Sequence, residues 1–210
     1  MKPEWIARQS SRPRGWLGQI VARVMSYETI QVNRIALDEL EVGAGESVLD
    51  VGCGHGRTLA ALEREGKAGF VAGIDPSEVM VSLASRRLRK AMGRGRAEIQ
   101  HAESSRIPYE DGRFDAALAV HVLYFWPDPA ADLAEIRRVL RPGGRLLLGY
   151  RPDDAAARAA LPSSVYALRS SAEVEKLLLA AGFDSVHTHV HPLGEAPFAC
   201  ARAEVGTAAA

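Results

Sequence analysis

Hydrophobic positions change their spacing several times along these 210 residues, and each change marks an element. Leu17, Ile20, Val21 and Val24 recur at helical spacing, and Ile35, Leu37 and Leu40 continue that pattern toward Glu41. One or two helices ending near Gly43 are predicted there. After residue 45 the texture becomes β-prone: Ser47-Val48-Leu49-Asp50-Val51 is a short apolar run that stops at a glycine cluster. Alternating elements follow, with helices predicted over Leu59 to Glu65 and Ser77 to Met92. Strands are predicted over Gly69 to Ile74, Ala97 to Gln100 and Phe114 to Val120. Leu133, Ile136, Val139 and Leu140 predict a helix closed by Pro142-Gly143-Gly144, followed by a strand from Arg145 to Tyr150. Val174, Leu177, Leu178 and Ala181 predict a helix opened by a Ser170/Glu173 capping box, with Gly182 past its end. Val186 to His189 and Phe198 to Ala201 read as the last strands. Strands alternating with helices predict an α/β fold whose parallel sheet is covered on both faces. In such folds ligands bind beyond the carboxyl ends of the strands, which confines the search for chemistry to a few loops.

Composition narrows the picture. With 22.6 kDa, 47% apolar and 25% charged residues, a single soluble domain is expected over residues 1–204, with an Ala-rich tail at 205–210. Lys+Arg 26 against Asp+Glu 26 leaves no global field toward nucleic acid or anionic membrane. Cys53 and Cys200, far apart in sequence, exclude a disulfide scaffold and any Cys-rich zinc module, and they suit a reducing compartment. Met1-Lys2-Pro3-Glu4-Trp5 opens without a signal-peptide core, and the longest apolar stretch, Ala116 to Trp126, falls short of the roughly 20 residues a membrane span needs. A soluble, cytoplasmic protein is the expectation. The basic run Arg86, Arg87, Arg89, Lys90, Arg94 and Arg96 reads as the solvated face of a helix, and Lys2, Arg8, Arg12, Arg14, Arg23 and Arg34 make the N-terminal stretch basic too. His187, His189 and His191 alternate as on one face of a strand, with no fourth ligand in view, so no metal is expected there.

The densest signal is Asp50-Val51-Gly52-Cys53-Gly54-His55-Gly56, placed between a strand and a helix. Glycines there allow positive φ and let a ligand approach the main chain, while free N–H groups of the following helix favour an anionic ligand group. A dinucleotide fingerprint and a P-loop both fail at Arg57. Asp75, in Gly73-Ile74-Asp75-Pro76, ends the next strand, where a carboxylate can accept both hydroxyls of a ribose. Asp75-Pro76-Ser77-Glu78 also fits a helix N-cap, so the orientation of Asp75 separates two readings.

These residues resemble a family. Val48 to Gly56 looks like motif I of the class I S-adenosylmethionine (SAM)-dependent methyltransferases, and the nearest subgroup is the type 11 family that includes quinone-biosynthesis methyltransferases. Gly73-Ile74-Asp75, Ile107 to Asp115, His121-Val122-Leu123-Tyr124, Leu140 to Gly144 and Ala181-Gly182-Phe183 agree in order. The resemblance implies a Rossmann-like, doubly wound, mostly parallel seven-stranded sheet over 44–204. An antiparallel last strand and an N-terminal helical lid over 1–43, Tyr27 included, complete it. It also implies SAM as cofactor and S-adenosylhomocysteine as product. Main chain at Gly52 and Gly54 would cradle the methionine part, Asp50 its ammonium, and Asp75 the ribose. Glu103, where the family usually has Asp, would accept from the adenine amino group, and Ser104 would offer its N–H. Cys53, Pro76 and Val120 complete the implied cofactor pocket.

Methyl transfer from a sulfonium needs in-line placement of the acceptor and, for some acceptors, a base. His121 and Tyr124, with Trp126 beside them, are the acceptor-side candidates, and His121 could serve as the base. A small-molecule acceptor is favoured. The slot after the fourth strand reads Ala119-Val120-His121-Val122, without the Asn/Asp-Pro-Pro-aromatic motif of amino-methylating enzymes, and few aromatics are present to stack on bases. Nucleic acid is therefore disfavoured. RNA or protein methylation, and SAM binding without transfer, stand as alternatives.

Overall fold

The computed structural model describes residues 30–194 and 197–207. The expectations for Leu17 to Val24, Tyr27, the basic residues up to Arg23 and the end of the tail lie outside those residues. Helix α1 (Ile30–Leu40) leads into β1 (Ser47–Val51), α2 (Arg57–Glu65), β2 (Phe70–Asp75), α3 (Glu78–Met92), β3 (Ala97–His101) and β4 (Phe114–Val120). A 3₁₀ turn (Leu123–Phe125) precedes α4 (Pro129–Val139), β5 (Leu140–Tyr150), α5 (Ala155–Ala160), α6 (Ser171–Ala180), β6 (Ser185–His191) and β7 (Phe198–Glu204).

The strands form one seven-stranded sheet in the order β3-β2-β1-β4-β5-β7-β6. β1 to β5 pair in parallel, and β7 runs antiparallel to both β5 and β6. Alternate residues feed two cores. Leu49, Val51, Ile74, Ala117 and Leu148 pack with Leu133 and Ile136 of α4 and Val174 and Leu178 of α6. Val48, Val71, Ala116, Leu118 and Leu147 pack on the other face with Ala36 and Leu40 of α1, Leu59 of α2 and Leu88 of α3. This is the doubly wound architecture expected, and the order in which strands are added reverses between the parallel β1 and β4, where such sheets open a crevice.

The α6 capping box is present as expected: the Ser170 hydroxyl accepts from the Glu173 N–H, and the Glu173 carboxylate accepts from the Ser170 N–H. One expectation needs correction, and one helix carried no sequence signal. Pro142-Gly143-Gly144 does not close α4. The helix ends at Val139, Leu140 already pairs with Phe114, and the register shifts before Ala116 pairs with Arg145. A residue before proline disfavours the helical region, and Gly143 (φ 75°) takes a left-handed turn, so Arg141 to Gly144 form a bulge inside β5. Helix α5 gave no apolar periodicity because only Ala157 of its Ala-rich turn is buried; the Asp154 carboxylate caps it by accepting from the Ala157 N–H at 2.6 Å.

Arg145 ties α1 to the sheet. It is buried in β5 and donates to the Leu40 carbonyl at 2.7 Å, the Glu41 carbonyl at 2.8 Å and both Glu46 carboxylate oxygens at 3.0 and 2.7 Å.

Candidate active site

At the β1/β4 switch lies a cavity of about 1030 Å³, walled by the ends of β1, β2 and β4 and by the turns that follow them. Asp50, Gly52, Cys53, Gly54, Asp75, Pro76, Glu103, Ser104, Val120, His121 and Tyr124, all singled out from the sequence, line it together. The structure adds Asn33 from α1, Arg57 and Thr58 from α2, Met80 from α3 and Asp132 from α4, along with Ser163 to Val165, Ala167 and Arg169 from the segment before α6. Asp132 had a sequence signal, a carboxylate within an apolar helical stripe; it is buried and accepts from the Ser104 hydroxyl. The segment before α6 had none, since irregular chain carries no period.

Four amides of the glycine loop are already bonded within the protein. The Gly52 and Cys53 N–H groups donate to the Ile74 carbonyl at 2.9 and 3.0 Å, Gly54 to the Asp75 carboxylate at 2.9 Å and Gly56 to the Cys53 carbonyl at 3.0 Å. β2 takes up the first three of these donors and so holds the loop, leaving an anionic group only the N–H groups of the helix that follows. The glycines themselves have different causes. A Cβ on Gly52 would lie 2.3 Å from Val122 Cγ1, and one on Gly56 would lie 2.9 Å from Ala84 Cβ, so both are demanded by packing. A Cβ on Gly54 (φ 53°) would meet nothing within 4 Å; of the three, this position alone opens on free space. A Cβ on Gly73 would fall 2.8 Å from Cys53 Sγ, which explains the cysteine as a packed thiol; burial raises its pKa well above the ordinary range.

Asp75 is not the helix cap. Ser77 occupies the N-cap of α3, and the Asp75 carboxylate accepts the Ser77 N–H at 2.8 Å and the Gly54 N–H at 2.9 Å. Each oxygen keeps lone-pair capacity for another donor. Burial lifts Asp75 to about 6 against the pull of those two bonds, and it lifts Asp50 to about 7 with the Asp75 charge adding to it. Two buried carboxylates on adjacent strands make a pocket that is stabilised by a cationic, donor-rich ligand and repels phosphate. Burial, followed by the charges of Arg87 and Arg57, brings His55 down to about 4, so its ring is neutral.

Across the cavity His121 (φ 58°) holds a left-handed conformation that costs a non-glycine residue about 1–2 kcal/mol. Its N–H donates to the Gly149 carbonyl at 2.8 Å, and its Nδ1 lies 3.0 Å from the Tyr124 hydroxyl. That hydroxyl also accepts from the Arg151 N–H, and burial pushes the Tyr124 pKa far above its ordinary value. Tyr124 therefore stays neutral and orients His121. Trp126 lines the same wall, and Tyr166 packs on Tyr124 and Phe125 at 5.7 and 5.2 Å between ring centroids. The basic residues Arg86, Arg89 and Lys90 face outward from α3, opposite its buried Ala84–Leu88 stripe, and Arg94 is exposed in the turn after it.

Residues 49–148 match the family profile described as a methyltransferase domain. A solved SAM-dependent methyltransferase from Aquifex aeolicus superposes with a TM-score of 0.68 at 28% identity, over 82% of this chain and 89% of that one. Over this central region the chain is similar to the class I SAM-dependent methyltransferases. Among curated relatives of this chain, an uncharacterised 37.1 kDa transposon protein of Streptomyces fradiae is 44% identical over 120 residues, 57% of this chain and 34% of that protein. The 27-O-demethylrifamycin SV methyltransferase of Amycolatopsis mediterranei is 37% identical over 110 residues, 52% of this chain and 40% of that enzyme. The chain thus spans well under half the length of these two relatives. Among the described residues no helix is long and apolar enough to cross a membrane.

Proposed function

We propose that this chain moves a methyl group from SAM to a small-molecule acceptor. The observation that carries the reading is the pair of buried acids, Asp50 and Asp75, on adjacent strand ends beside a glycine loop whose amides are already bonded. Such a site suits an ammonium and a ribose, and disfavours a pyrophosphate. Gly54 fits the same ligand, since its missing Cβ leaves room for close approach. SAM supplies an activated methyl on a sulfonium whose leaving group is a neutral thioether. In this reading Asp50 holds the ammonium, and Asp75 accepts from the ribose hydroxyls. Glu103 accepts from the adenine amino group and Ser104 donates its N–H to the ring, while Cys53, Pro76 and Val120 supply apolar contact.

His121, held by Tyr124, faces the acceptor side. The tautomer competent as a base has Nδ1 donating to the Tyr124 oxygen and Nε2 accepting the acceptor's proton. Phe125, Trp126, Ser163 and Arg169 give that side a mixed apolar and polar wall. The kinship to an enzyme named for a rifamycin supports a small-molecule acceptor.

Isothermal titration of the full chain with SAM, S-adenosylhomocysteine and NAD tests the cofactor assignment. Binding of the first two and none of the third is expected, with Asp75→Ala weakening SAM at least tenfold, about 1.4 kcal/mol. Unchanged affinity in that variant, or heat with NAD alone, overturns the reading.

A further inference from the structure

On the sheet edge away from the cofactor cavity, three elements bring together donors that sequence separates widely. The antiparallel register of β6 and β7 sets His189 opposite Cys200, and His191 follows on the same face of β6. Helix α1 lays Glu39 across them: its Oε1 lies 2.9 Å from His189 Nδ1 and 2.5 Å from His191 Nε2. The ligand atoms of Glu39, His191 and Cys200 all lie within 4.8 Å of one another, and the two imidazole rings are 4.3 Å apart between centroids. None of these residues lines the cofactor cavity.

We propose that Glu39, His189, His191 and Cys200 form a structural zinc site. Two imidazoles, a thiolate and a carboxylate are the donor types that tetrahedral Zn²⁺ takes, whereas Mg²⁺ and Ca²⁺ call for all-oxygen sets. Zinc–ligand bonds of about 2.0–2.3 Å put tetrahedral donor atoms roughly 3.2–3.8 Å apart. The Glu39, His191 and Cys200 ligand atoms lie within 4.8 Å of one another, and Glu39 Oε1 stands 2.9 Å from His189 Nδ1, near that spacing. Rotation of the Glu39 and His191 side chains closes the difference. Cys200 is fully buried and His189 is 70% exposed, so the ion enters from the His189 side. On binding, the Cys200 S–H bond breaks, a Zn–S bond forms and the proton leaves to solvent. The ion would staple α1, which carries Asn33 at the cavity wall, to the β6–β7 edge. The expectation that these histidines lack a fourth ligand gives way here because the other two donors come from α1 and β7.

The test uses untagged, chelator-dialysed full-length protein. Titration with zinc chloride is expected to give one Zn²⁺ per chain with Kd below about 1 µM. Co²⁺ in its place should give tetrahedral ligand-field bands together with a thiolate-to-metal charge-transfer band. His191→Gln and Cys200→Ser should each weaken Zn²⁺ at least tenfold while leaving the SAM titration unchanged. Absence of stoichiometric Zn²⁺, a Co²⁺ spectrum without the thiolate band, or variants that bind like the parent would overturn the site. The parent's Co²⁺ spectrum decides even where a variant does not fold.

Discussion

In the proposed reading the fold and the cofactor act on the same proton, that of Asp50. Burial, then the Asp75 charge, lifts this carboxyl from 3.8 to about 7. A carboxyl whose folded value lies above its unfolded value holds its proton more tightly in the native state. Stability is therefore fully present below about 4, falls as pH rises through the window, and is lost by about 7. An Asn at position 50 has no such proton. The stability of Asp50→Asn relative to the parent, both without cofactor, is expected to rise from about pH 4 to about pH 7 and then level, read as the difference in Tm. An ammonium beside Asp50 favours its ionised form, so SAM affinity of the parent should strengthen over the upper part of that window in calorimetric titrations. A flat difference in Tm would show that the carboxyl ionises as freely in the fold as out of it. The identity and place of this acid were legible because it ends an apolar strand before a glycine cluster. Its raised pKa was not, since that comes from Asp75 and from the protein packed around it, not from neighbours in sequence.

The glycine loop shows how one motif carries several physical demands. Gly54→Val places a β-branched side chain at φ 53° and in open cavity, and should leave a folded protein without SAM binding. Gly52→Ala drives a Cβ to 2.3 Å from Val122 and should lower stability by more than the about 1–2 kcal/mol of a left-handed alanine; Gly52→Ala/Val122→Ala recovers only the steric part. Denaturant unfolding measures both. At α6, Ser170→Ala removes one half of the capping box and is expected to cost about 1 kcal/mol without touching cofactor binding. That helix was readable from sequence because its cap, period and terminal glycine agree. The β5 bulge was misread as a helix stop because Pro and Gly break helices and strands alike, and only the pairing of Leu140 with Phe114 distinguishes them.

Across the whole molecule, Arg145 links the sheet to α1 through two main-chain carbonyls and Glu46, whose carboxyl it holds below the usual range. Arg145→Met strands those acceptors, and a loss on the order of 2–3 kcal/mol in denaturant unfolding is expected. Hydrophobic period and turn residues act over a few neighbours, so the chain's order of strands and helices, its α/β class and the strand ends that carry the acids were set locally and could be read without coordinates. The crevice could be assigned to loops in advance because parallel strands all present their carboxyl ends on one side. Side-chain pairings between distant segments had no such local cause. The order β3-β2-β1-β4-β5-β7-β6, the bonding of the loop amides by β2, the Ser163–Arg169 wall and the meeting of Glu39 with His189, His191 and Cys200 were decided by tertiary packing. Each joins residues whose nearness follows from how the sheet is wound, a property of all the strands together.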